Sequence, residues 1–288
     1  MFAELHARSA FSFLRGASLP EALIERAAEL GYPAIAITDH LGFQGSPRAH
    51  AAARQHGIRA LVGTTLEVPS KKCQVPNSLP AVVALAANRT GYSQLCQHLT
   101  TEGERRHPAG SIRRPAECLQ PPRREASHPS WNLALPTCLP SIALATEGHF
   151  DHGAVAVLTG DRDHLLCQLL LQEKRKEAES FAHQLIDTFG LENVHIQLTR
   201  HHLRDDTRLN RLLIDLAAHL KLPLIASNSP LHATHADRLL CDAFTCLRHH
   251  TTLDQAGALL APNGERHLKS PRAMRELFAD IPEAIDNT

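Results

Sequence analysis

The residues through which this sequence can do chemistry are polar side chains placed just after short apolar runs. His6 and Arg8 follow the run at 2–5, Asp39 and His40 the run at 34–37, and Thr64 and Thr65 the run at 59–62. Asn88 and Arg89 follow 80–87. Gln197 lies within 194–198, which leads to His201 and His202, and Asn228, Ser229, His232 and His235 follow 222–226. If the runs are strands of one parallel sheet or barrel, these residues gather at its carboxyl end, where such folds carry their sites. Imidazoles and carboxylates delivered from separate strands are the ligand types of a divalent-metal centre, which activates water and clamps a phosphate.

The elements that must position them are legible as an alternation of apolar runs and helical patterns, the signature of an α/β fold. Ser18 and Glu21 have capping-box spacing, Leu23, Ala27 and Leu30 recur on one helical face, and Gly31 supplies a stop. The pattern predicts further helices over 47–56, 91–99 and 163–189, and a last one marked by Leu209, Leu212, Leu213, Leu216 and Leu220. Additional strands are expected at 141–145 and 154–158. Residues 101–140 break the rhythm with many prolines and arginines and the sole tryptophan, Trp131, and read as an irregular insertion. Seven or eight βα units in 288 residues fit a barrel, with a doubly wound sheet as the alternative.

Composition narrows the function classes. Thirty Lys and Arg balance thirty Asp and Glu, so no basic excess marks a chain that binds DNA on its own through phosphates. Twenty histidines make the charge balance pH-sensitive. Seven cysteines with no Cys-x-x-Cys pair point to a reducing cytoplasm and to core filling. The N-terminus has no leader pattern, and no run of about 18 apolar residues reads as a membrane span.

Several candidates have an ordinary reading beside the functional one. His6 is either a ligand or a barrel-mouth histidine hydrogen-bonded to Asp39. Thr38-Asp39-His40 is either a metal-binding turn or common turn chemistry. The adjacent pairs His201-His202 and His249-His250 cannot both face one point on a regular element, and read as helix ends and loops. Gly63 and Gly91 read as turns. Arg105, Arg106, Arg113, Arg114, Arg123 and Arg124 make a basic insertion that is either solvated or a contact for DNA or a partner subunit, with little aromatic content for base stacking.

Ordered motifs along the chain resemble a known family. Residues 4–18, ELHARSAFSFLRGAS, are followed by Ala36-Ile37-Thr38-Asp39-His40 and by Gly57-Ile58-Arg59-Ala60-Leu61-Val62-Gly63. Asn88-Arg89-Thr90-Gly91-Tyr92, Ala226-Ser227-Asn228 and His267-Leu268-Lys269-Ser270-Pro271 come later in the same order. Together these resemble the polymerase-and-histidinol-phosphatase (PHP) domain of bacterial C-family DNA polymerase alpha subunits, most closely the error-prone branch, over nearly the whole chain except about 101–150.

The resemblance implies a distorted (β/α)7 PHP barrel spanning 1–288 as one domain, with 101–140 an insertion and 265–288 a segment that in longer relatives leads into the polymerase domains. A complete PHP site begins with His-x-His, and here the pair is His6 and Arg8. The next motif's Asp39 and His40 survive, the expected glutamate is Thr65, and the late Asp-x-His falls on Ser229 and Leu231, with His232 one place off register. Arg8, Thr65, Ser229 and Leu231 are therefore degenerate ligand positions. A trinuclear cluster needs carboxylates to offset cation repulsion, and Arg8 adds fixed positive charge instead.

One zinc or manganese ion on His6, Asp39, His40 and His201 or His232 is the most the set implies, with no catalytic residue assigned. The function implied is a structural or partner-binding PHP module of an error-prone polymerase in DNA replication and translesion repair synthesis, without polymerase activity of its own. The chain is expected to end before any palm domain, so its partners would be a separate C-family polymerase polypeptide or translesion-synthesis subunits, with DNA met only indirectly and no membrane. The alternative is a metal-dependent phosphoesterase or 3′–5′ exonuclease with a reduced site.

Overall fold

A computed structural model describes residues 2–68, 81–106 and 153–288. The chain divides into two compact units, residues 1–99 with 149–288, and residues 100–148. The expected strand at 141–145, Trp131, Arg113, Arg114, Arg123, Arg124, Cys73, Cys118 and Cys138 lie outside the described residues.

Seven strands pair in sequence order: β1 (Glu4–Ala7), β2 (Ala34–His40), β3 (Arg59–Glu67), β4 (Ala81–Ala86), β5 (Val155–Leu158), β6 (Val194–Leu198) and β7 (Leu224–Ala226). The fold is the expected mixed α/β barrel-like sheet, but it is not parallel throughout. β4 runs antiparallel to both β3 and β5, while β1–β2–β3 and β5–β6–β7 are parallel. Apolar runs reveal that a strand exists and not which way it points, so the sequence pattern read β4 as one more parallel strand.

Successive side chains on a strand face opposite sides, and here each side has its own core. Ile35, Ile37, Val82 and Val157 pack with Leu23, Ile24 and Ala27 of α1 (Pro20–Glu29). Ala34, Ala36, Val83, Leu85, Leu158 and Ile225 form a smaller cluster with Ala3 and Leu5 on the other side. Parallel register aligns His40 of β2 with Thr65 of β3, which fixes their side-chain contact described below.

The helices follow the expected order with two corrections. The capping box at Ser18 does not form. Pro20 takes the first helical position, Leu19 stands at the cap, and the Ser18 hydroxyl instead accepts the Ala233 N–H at 2.8 Å while Glu21 pairs with Arg48. The single helix expected over 163–189 is two, α4 (Leu165–Leu171) and α5 (Arg175–Phe189), once α2 (Ser46–His56) and α3 (Arg89–Arg106) are counted. Glu173 adopts a left-handed φ of 61°, and Lys174 N–H closes onto Leu169 O at 2.9 Å. Leu165, Leu166, Cys167, Leu169 and Leu170 leave α4 buried nearly all round, and no glycine or proline stands at the break to announce it.

The remaining helices are α6 (Asp206–Leu220), α7 (Arg238–Arg248), α8 (Leu253–Ala256), α9 (Pro271–Leu277) and α10 (Pro282–Asp286). Met274, Phe278, Ala284 and Ile285 join the main core, and Asn287 donates to Leu224 O of β7 at 2.8 Å. No helix among the described residues is long and apolar enough to cross a membrane.

β1 and β7 are the two ends of the pairing order, and a side chain joins them. The buried Glu4 carboxylate accepts from the Ser227 hydroxyl, from Asn228 N–H at 2.9 Å and from His6 N–H at 3.0 Å. Burial raises the Glu4 pKa, and the hydrogen bonds from Ser227, Asn228 and His6 oppose that rise. Arg8 N–H to Pro230 O at 3.1 Å and Ala17 N–H to Leu231 O at 2.8 Å continue the seam.

A Glu4→Gln variant, whose amide must oppose either the His6 or the Asn228 N–H, is expected to lose about 1–3 kcal/mol. Urea unfolding monitored by circular dichroism measures this, and unchanged stability would show that the seam does not depend on the carboxylate.

Candidate functional site

The loops after the strands carry the backbone irregularities. Leu14, Leu41, His202 and Ser229 are non-glycine residues at φ of 56°, 53°, 56° and 45°, in the loops that follow β1, β2, β6 and β7. Left-handed backbone in such residues costs of order 1–3 kcal/mol and persists where surrounding contacts enforce it.

At the centre stands Asp161, which follows β5 through Thr159 and Gly160 and is 1% exposed. Gly160 is at φ 87°, and a Cβ there would lie 2.3 Å from the His164 ring, so the turn requires glycine. One carboxylate oxygen of Asp161 accepts from Arg8 at 2.6 Å, from the Ser229 hydroxyl at 2.6 Å and from Arg266. The other accepts the Asp163 N–H at 3.1 Å and lies 2.7 Å from Nδ1 of His164, the residue that caps α4. Burial alone would raise the Asp161 pKa, but the Arg8 and Arg266 guanidiniums hold it well below the usual carboxylate range.

His6 is fully buried beside this network. Its Nδ1 meets the Gln197 amide at 3.0 to 3.2 Å, and its Nε2 accepts from Arg8 Nε at 3.4 Å. Burial, and then the Arg8 charge, push its pKa well below the ordinary imidazole value, so the ring is neutral. The His6–Asp39 hydrogen bond considered above does not form.

Asp39 instead accepts Ser9 N–H at 2.8 Å and the hydroxyls of Ser9 and Ser12, the latter at 2.8 Å, and so pins the loop after β1. His40 Nδ1 faces Thr65 Oγ1 at 3.1 Å. His201 Nε2 donates to Asn228 O at 2.8 Å, and His232 Nδ1 donates to Thr234 O at 2.7 Å. Leu231 bonds through its backbone, its N–H donating to Arg266 O at 2.9 Å and its O accepting from Ala17 N–H at 2.8 Å.

The five expected ligands His6, Asp39, His40, His201 and His232 are thus held by different partners and do not converge. Among the described residues no group of three or more His, Cys, Asp or Glu is placed to hold a metal ion. Two guanidiniums occupy the Asp161 carboxylate, and the donor set does not fit a divalent cation. Of the positions expected to be degenerate, Arg8 and Ser229 are integral to the Asp161 network, and Thr65 serves His40.

Asp161, His164, Arg266, Ser9 and Ser12 were not anticipated as site residues. Asp161 lies three residues beyond the apolar run at 154–158, so the rule that flagged Asp39 would have reached it. Arg266 follows no strand, and only the fold brings it in.

The protein-family model described as PHP domain matches residues 4–201. The chain is 34% identical over 286 residues to an error-prone DNA polymerase of Mycolicibacterium paratuberculosis, covering 99% of this chain and 24% of that protein. It is 32% identical over 289 residues to one from Anaeromyxobacter dehalogenans, covering 99% and 21%. The chain therefore spans less than a quarter of the length of these curated relatives. A solved structure from Bifidobacterium adolescentis, described as a metal-dependent phosphoesterase, superposes with a TM-score of 0.43 at 15% identity, covering 79% of this chain and 86% of that one.

Two outcomes follow from the network. Asp161→Asn leaves two guanidiniums without their shared carboxylate, and the expected loss is about 3–5 kcal/mol in chemical denaturation. The second concerns pH. His6 and His201, the latter lowered to about 4 chiefly by burial, stay neutral in the folded chain while their unfolded counterparts protonate near 6.5. The unfolded state then binds more protons, so stability falls as pH drops from about 6.5 towards 4. Thermal unfolding between pH 7 and 5 should show a falling midpoint, and a flat profile would contradict the neutral buried imidazoles.

Proposed function

The chain belongs to the PHP domain family, and from that premise we propose that it serves as the N-terminal structural module of an error-prone C-family DNA polymerase rather than as a phosphoesterase. The observation that carries this reading is Asp161, whose carboxylate is shared by Arg8 and Arg266. A divalent cation about 4 Å from either guanidinium would meet roughly 8 kcal/mol of repulsion at an effective dielectric near 20. Where a metal-dependent site needs negative charge open to an ion, the Asp161 carboxylate is already neutralised. The network does structural work instead, tying the loops after β1, β5 and β7 to the segment at 266.

The alternative, a phosphoesterase or 3′–5′ exonuclease on a reduced site, requires His6, Asp39 and His40 to share one ion. Gln197 and Arg8 engage the first, Ser9 and Ser12 the second, and Thr65 the third.

On our reading residues 1–288 form one barrel domain with 101–140 as an insertion, and 265–288 connect towards polymerase domains. Nucleotide transfer in DNA replication and repair synthesis belongs to the polymerase core, which is this module's partner in the cytoplasm, with translesion subunits as further associates. Support comes from the match to error-prone polymerases along 99% of the chain.

Elemental mass spectrometry of the purified, folded chain is expected to find metal far below one equivalent, and a phosphomonoester assay with added Mn²⁺ no chelator-sensitive turnover. Mixing with a C-family polymerase polypeptide lacking its own PHP domain should give a complex on size exclusion at micromolar concentration. Stoichiometric metal lost in His6→Ala/His40→Ala, or independent elution, would each count against the proposal.

A further inference from the structure

α7 turns its apolar face to solvent. Of its 11 residues only Asp242 and Cys246 are buried, and Asp242 pairs with Arg238 at 3.5 Å. Leu239 is 76% exposed, Leu240 44% and Leu247 61%. With Ala243 these positions fall within about 100° of the helix circumference, so they form one stripe. A helix on a globular surface normally buries such a stripe and gives its charges to water. Here the carboxylate lies inside and the leucines outside, and exposed apolar surface arranged in this way marks an interaction face.

The charges beside the stripe select what can cover it. Asp237 precedes the first residue of α7 and Arg248 is its last, about three turns apart, so both flank the stripe on the same side. Arg248 is exposed and has no carboxylate partner among the described residues; it reaches only Leu14 O and the His249 ring, both at 3.4 Å. Asp237 spends one carboxylate oxygen on the Thr234 N–H and hydroxyl, at 3.0 Å each, and on the Ser18 hydroxyl at 3.4 Å. Its other oxygen has no partner among the described residues. A second α7 laid antiparallel on the first about a two-fold axis sets Arg248 of each copy opposite Asp237 of the other, so the favourable pair is made twice. A parallel copy makes neither pair.

We propose that the leucine face of α7 joins two copies of this chain into an antiparallel two-fold dimer, its stripes packed together and its two Asp237–Arg248 pairs fixing the direction. The arrangement has an apolar centre and a charged rim, the usual anatomy of a protein interface. One helix about 16 Å long supplies a small contact area, so the association belongs in the micromolar range. Like charges set opposite each other oppose a wrong alignment by more than matched charges favour the right one, so the ion pairs act on specificity and the leucines on affinity. The inference goes beyond the structural role proposed above and does not rest on it, because neither a metal nor a polymerase polypeptide enters the contact.

The test is sedimentation equilibrium of the full chain in low salt from about 1 to 200 µM, which should show monomer and dimer in exchange. Arg248→Asp and Asp237→Arg, each alone, set like charges opposite each other and should raise the dissociation constant roughly tenfold or more. Mixed one to one, the two variants make both pairs again, one of them with its charges exchanged, and dimers of parent strength should return. Leu247→Glu, at an exposed position, should abolish the dimer, and circular dichroism verifies that each variant is folded. A parent that stays monomeric overturns the proposal, including one whose α7 face takes a polymerase polypeptide instead. Parent-strength dimers in Leu247→Glu, or no recovery when the folded charge variants are mixed, overturn it as well. Should Asp237→Arg misfold through loss of its bonds to Thr234, Arg248→Asp and Leu247→Glu decide the matter, and parent-strength dimers in either one overturn it.

Discussion

A barrel-like sheet must dispose of its two edges, and in this protein that constraint is met by a buried carboxylate. Pairing runs in order from β1 to β7, and Glu4 then spans the gap to Ser227 and Asn228. A hydrogen-bond ladder spreads the task over many backbone groups, whereas here one side chain of β1 receives the Ser227 hydroxyl and the Asn228 N–H, and two backbone bonds extend the seam beyond it. The geometry of the mouth depends on it, because the residues on either side of this seam, His6 and Arg8 on one and Ser229 on the other, are those that surround Asp161.

Asp161 extends the same logic from the seam to the site. Arg8 comes from the loop after β1, Ser229 from the loop after β7, and Arg266 from the segment before α9, so one buried anion gathers three separated stretches of chain. A buried ion pair is weak support for stability by itself, since desolvation offsets attraction. Its effect is on arrangement: it holds the loops after β1 and β7 and the segment at 266 against one carboxylate. His6, neutral and fitted between Gln197 and Arg8, completes the packing without adding charge.

Much of this was legible in the sequence, and the failures have physical causes. Strand β6 was located to the residue and most other strands to within a few, because buried strands read as apolar runs. The direction of β4 was not legible, since direction is a property of connections. The break at Glu173 was missed because no glycine or proline stands there and α4 is apolar nearly all round. The site was half legible. The substitution of Arg8 into a His-x-His position signalled a fixed positive charge, and the structure supplies the carboxylate that receives it. Asp39 looked like a ligand because sequence reports residue type, while the two serines that engage it lie about thirty residues away.

The sharing of Asp161 between two guanidiniums also bears on how little a single change at the mouth can achieve. Histidine at position 8 would take one cation from a buried anion, and Arg266 would still oppose any incoming ion. Opening this carboxylate to a cation therefore demands more than one substitution, and the two arginines act as a double lock on one buried charge.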